Sequence, residues 1–124
     1  MSAPLEEFAR LSRRAAADLD ATNSVRSMEP SLLQMLRVVE DHPELRAAFE
    51  RAFIELCDSP SPKEIVQFCM RKLQWPAVRE HVAGAMRATK DTRFRSTMQQ
   101  VLDVYDDEWA DADLWEYYSG QSNG

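Results

Sequence analysis

His81, His42, Cys57 and Cys69 are the residues of this 124-residue chain whose types best suit nucleophilic, general-base or metal chemistry. An imidazole titrates near neutral pH and ligates metals through either nitrogen. The positions three and four residues from His81 are Ala77, Val78, Gly84 and Ala85, so no carboxylate or second histidine shares its face of a helix. Glu80 is adjacent in sequence and points elsewhere. Between Val78 and Val82, His81 reads as a partly buried histidine satisfied by a backbone or acidic group rather than as a base or ligand. A zinc site drawn from both histidines and both cysteines would need four separate elements to converge, without the paired short spacings of structural zinc.

Other catalytic patterns are missing from the sequence. There is no GxSxG, no HExxH and no glycine-rich phosphate loop, and the chain holds three glycines in all. The carboxylate pairs Glu6-Glu7, Glu40-Asp41 and Asp106-Asp107 each lie on or beside a polar face and read as solvated charge. Cys57 and Cys69 have no CxxC spacing and read as reduced core residues. The expectation is a non-enzymatic chain with no cofactor and no metal.

The elements that would position these residues are helices. Leu5, Phe8, Leu11, Ala15 and Leu19 give a first helix over about residues 4–19, followed by a polar link from Asp20 to Glu29. A 22-residue stretch then occurs twice, 33 positions apart: LLQMLRVVEDHPELRAAFERAF from Leu32 and IVQFCMRKLQWPAVREHVAGAM from Ile65. Gln34 returns as Gln67, Pro43 as Pro76, Arg46 as Arg79 and Ala52 as Ala85, with apolar character kept at seven further positions. In each copy a proline breaks one helix and starts the next, because the residue before proline is pushed out of helical geometry. The alignment sets His42 opposite Trp75 at the bend and His81 opposite Ala48 on the stripe.

Ser61-Pro62-Lys63-Glu64 has the pattern of a capping box opening the second copy. Asp91 should cap a last helix running to about residue 110, with Phe94, Met98, Val101, Leu102, Tyr105 and Trp109 in register. The organisation expected is one all-α domain of five to six helices: N-terminal helix 1–20, repeats 30–57 and 61–90, last helix 91–110 and an acidic aromatic tail 111–124.

Two proline-bent helical hairpins at a fixed period resemble HEAT-like repeats over about residues 30–90. The resemblance implies a small right-handed stack of helical hairpins that binds a protein, or occasionally a nucleic acid, on a helix face. It implies no reaction.

Charge points to where binding would occur. The net charge is −6, and residues 96–124 contain seven acids (Asp103, Asp106, Asp107, Glu108, Asp111, Asp113, Glu116) with no lysine or arginine. These acids are interleaved with Tyr105, Trp109, Leu114, Trp115, Tyr117 and Tyr118, a composition suited to a contact surface. Trp109, Asp111, Asp113, Trp115, Glu116, Tyr117 and Tyr118 are therefore the expected contact residues for a protein partner with a basic surface, in an adaptor or an immunity-like inhibitor. Trp115 to Tyr118 could instead fold back over the open end of the stack. Two alternatives remain open: a small enzyme or ligand-binding bundle centred on His81, and a nucleic-acid binder using Arg87, Lys90, Arg93 and Arg95. Overall acidity opposes the second. No apolar run approaches the roughly eighteen residues of a membrane span, and the N-terminus is not signal-like, so a cytoplasmic chain is expected.

Overall fold

In a computed structural model that describes residues 3–119, the chain is all-α, with no strand among the described residues. Helix α1 (Ala3–Thr22) buries Phe8, Leu11, Ser12 and Ala15, a stripe at helical spacing. It ends where Asn23 takes φ 54, a left-handed conformation that asparagine tolerates. The link from Asp20 is itself largely helical, contrary to expectation: a 3₁₀ turn (Val25–Met28) runs into α2 (Glu29–Asp41). Its polar residues bond to one another, with Thr22 Oγ1 donating to Ser27 Oγ at 2.7 Å, rather than to solvent alone.

The prolines act as the sequence indicates. His42 leaves helical geometry before Pro43, a 3₁₀ turn (Pro43–Leu45) follows, and α3 spans Arg46–Asp58. Trp75 is extended before Pro76, which begins α5 (Pro76–Ala88) after α4 (Lys63–Leu73). Asp91 accepts the N–H groups of Arg93 and Phe94 at 3.0 and 3.4 Å and so caps α6 (Thr92–Leu102). The capping box does not form. Pro62 occupies the cap position of α4, Ser61 Oγ meets Ser59 Oγ at 2.8 Å, and Glu64 pairs with Lys63.

Helix α6 also stops about eight residues earlier than expected. A 3₁₀ turn (Asp103–Tyr105), a second (Ala110–Leu114) and the short α7 (Glu116–Ser119) replace its continuation. The segment that follows is held by α4. Arg71 and Gln74 donate to the carbonyl of Val104, and Arg71 also to those of Asp106 and Asp107. These bonds tie the segment after α6 to α4 and satisfy carbonyls that no longer sit in a helical ladder.

The helices stack with α2 against α4, α4 against α6, α3 against α5 and α1 against α2. Helix α4 lies in the middle, and six successive residues of it, Ile65 to Met70, are buried. One cluster of rings joins Phe8, Phe49, Phe53 and Trp75 with centroids 5.0–5.8 Å apart. A second gathers Trp115, Tyr117 and Tyr118 around Phe68 of α4 at 4.9–6.0 Å.

Candidate partner-binding site

The C-terminal segment reaches its place through residues distant in sequence. Arg71 holds the carbonyls of Val104, Asp106 and Asp107 at 2.9, 2.5 and 3.1 Å, and Tyr105 donates its hydroxyl to the carbonyl of Trp75 at 2.9 Å. At the far end Arg26 donates to the carbonyls of Leu114 and Asp113 at 3.0 and 3.3 Å. Glu29, buried at the start of α2, accepts the N–H of Glu116 at 3.1 Å and of Tyr117 at 2.7 Å, and so satisfies two of the free donors that open α7. Tyr118 donates its hydroxyl to the carbonyl of Phe68. Burial holds the Tyr118 and Tyr105 hydroxyls well above the usual phenol range, so both remain protonated donors.

The expected contact residues divide accordingly. Trp109, Trp115 and Tyr118 are buried in the chain's own core, Trp115 with 1% of its surface exposed, so these rings are not offered to a partner. Tyr117 is half-buried, and Asp111, Asp113 and Glu116 are exposed. Of the seven acids past residue 96, Asp103 accepts from Gln99. The other six, Asp106, Asp107, Glu108, Asp111, Asp113 and Glu116, are all exposed, and among the described residues none forms an ion pair. Arg26 and Arg71, which hydrogen-bond to this segment, donate to main-chain carbonyls rather than to carboxylates, and Arg79 lies over the Tyr105 ring.

Two depressions border the C-terminal segment. One, of about 640 Å³, is lined by Arg71, Asp107, Glu108, Trp109 and Asp113. The other, of about 340 Å³, lies between Arg26, Pro30, Leu33, Glu116 and Tyr117 above Glu29.

The remaining candidates are tied into the scaffold. His81 Nε2 lies 2.9 Å from Asp58 Oδ1, both side chains partly exposed, so its partner is an acid from the end of α3 rather than from its own helix. His42 Nδ1 is 2.9 Å from the carbonyl of Val38. Cys57 and Cys69 are free thiols, with Cys57 pushed up to about 12 by burial and by the charge of Asp58, and Cys69 raised further by burial. Among the described residues no group of three or more His, Cys, Asp or Glu is placed to hold a metal ion, and no helix is long and apolar enough to cross a membrane. Arg95 donates to the carbonyl of Thr89 at 2.8 Å within the α5–α6 connection, while Arg87, Lys90 and Arg93 are exposed around it.

Arg26, Glu29 and Arg71, which seat the segment, are invisible to local pattern. The repeat does not single Arg71 out, because Val38 and Val39 of the first copy are replaced alike by Arg71 and Lys72 in the second. No protein-family model matches this chain, and neither does any curated protein or solved structure.

Proposed function

We propose that the chain is a non-catalytic protein-interaction module, an adaptor or inhibitor whose acidic C-terminal surface docks on a basic partner. The observation that carries this reading is the set of six exposed carboxylates left without cations of their own, while Arg26 and Arg71 are engaged with backbone oxygens. Like charges gathered on a fixed scaffold repel one another, a cost that a partner's lysines and arginines relieve. Complementary fields of this kind raise the rate of encounter and fix orientation more than they add affinity. The carboxylates sit on a segment bonded to α2 and α4, so little ordering is left to be done on binding.

The test is capture from the native host. The immobilised chain should retain one protein in stoichiometric amount, released as salt is raised. Replacing the six carboxylates by their amides should abolish retention without lowering the temperature of thermal unfolding. Retention that survives the amides sinks the reading. Deletion from Asp111 onward is a poor probe, because it strips Trp115 and Tyr118 from the core. His81→Ala should leave capture intact.

A further inference from the structure

Among the described residues two large apolar side chains are exposed, Leu33 at 38% and Leu114 at 49%. Leu33 lies in a depression, and Leu114 is on the turn that Arg26 ties to it. Leu33 lines the 340 Å³ depression with Pro30 and Tyr117, and Arg26, which also lines it, holds the carbonyl of Leu114. The polar groups there are already engaged. Glu29 accepts two N–H groups of α7, and the Arg26 guanidinium donates to two carbonyls, so the apolar surface of Leu33, Pro30 and Tyr117 is what the depression offers an occupant. Its surroundings carry a surplus of acid: Glu116 lines it beside Arg26, and Asp113 and Asp111 stand on the neighbouring turn, these three carboxylates exposed and unpaired among the described residues.

We infer that this depression takes a single large apolar side chain from a basic segment of a partner protein, with flanking lysines or arginines meeting Glu116, Asp113 and Asp111. The inference rests on the acidic-docking reading and adds the anchor to it. Charge complementarity selects the occupant. A neutral apolar segment would fill the pocket but leave the rim unanswered, and an acidic one would be repelled. The volume suits one or two large side chains, and one aliphatic or aromatic anchor in a pocket surrounded by polar contacts is how small interfaces concentrate their energy. The larger groove between α1 and α3, about 720 Å³, has Arg51 and Glu55 as the charges on its wall and so no surplus of acid.

Two short lysine-rich peptides, identical except for leucine or serine at the centre, separate the anchor from the charge. Their binding is read by fluorescence anisotropy at low salt against wild type, against Leu33→Ser/Leu114→Ser, and against Asp111→Asn/Asp113→Asn/Glu116→Gln. The leucine peptide should bind wild type about tenfold more tightly, the expected value of burying one leucine. That advantage should vanish in the double serine variant, and both peptides should weaken on the amide variant. Because the substituted side chains are exposed, neither variant should unfold at a lower temperature than wild type. Equal, salt-sensitive binding of both peptides overturns the anchor and leaves the acidic-docking reading standing. Binding of neither overturns both. Self-association of wild type that is lost in the double serine variant makes the face a contact between copies and also overturns the proposal.

Discussion

Helices α2 and α4 carry the same pattern 33 residues apart, yet one keeps an open face and the other is enclosed. The inward positions agree: Leu32 and Ile65, and Met35 and Phe68, are all fully buried. The outward positions differ. Leu33, Gln34 and Arg37 are exposed on α2, whereas Val66, Gln67 and Met70, their counterparts on α4, are buried. Val66 is covered near α6, Gln67 donates to the carbonyl of Gln100 at 3.0 Å, and the C-terminal rings rest on Phe68. The periodic stripe secures one buried face on each helix. A second buried face requires a later part of the chain to return to it, and only α4 receives one.

The comparison can be tested from its largest consequence down. Phe68→Ala removes the ring under Trp115 and Tyr118 and should cost about 3–5 kcal/mol in denaturant unfolding, with tryptophan fluorescence reporting loss of the C-terminal cover. A cost below about 2 kcal/mol means that the cover does not rest on α4. Val66→Ser should cost about 2–3 kcal/mol, since it loses a buried methyl and gains an unpaired hydroxyl. Its counterpart Leu33→Ser should stay within about 0.5 kcal/mol, and equal costs at the two sites would erase the distinction.

Alkali should attack the enclosed side first. Cys69 on α4, and Tyr105 and Tyr118 on the segment that covers it, have their neutral forms favoured by burial, as does Cys57 at the end of α3. Below the ordinary values of 9.0 for the thiols and 10.0 for the phenols, folded and unfolded chains are both protonated and no stability changes. Above them the unfolded chain releases protons that the folded chain keeps, so stability falls as pH rises. The slope approaches about 1.4 kcal/mol per pH unit for Cys69 and is smaller for the partly solvated Tyr105. A melting temperature that stays flat from pH 9 to 11 contradicts this. At the small end, Gln67→Ala should cost about 1 kcal/mol by leaving the Gln100 carbonyl short of a donor, and Gln34→Ala almost nothing.

Much of this was legible locally. The two proline bends, the buried stripes of α1 to α5 and the Asp91 cap follow from restricted dihedrals, helical period and a side-chain acceptor, all of which act within a few residues. The repeat alignment assigned His42 to the bend and set His81 on the stripe among Val78 and Val82. The end of α6 was not legible, because Phe94 to Trp109 keeps helical spacing and the residues that hold the turned chain, Arg71 and Gln74, lie some 30–36 residues earlier. The same limit applies to the Ser61 box, where the required residue types are present but Ser59 takes the hydroxyl.

By itself the sequence determined a helical chain with one apolar face per helix and its surplus of negative charge at the C-terminal end, since period, proline geometry and formal charge are properties of neighbouring residues. Only the tertiary structure decided that Trp109, Trp115 and Tyr118 turn inward while six carboxylates, Leu33 and Leu114 remain outside. The physical reason is separation. Glu29 meets α7 across 87 and 88 residues, and Phe68 meets Tyr118 across 50, and whether a side chain is buried depends on which distant segment arrives to cover it.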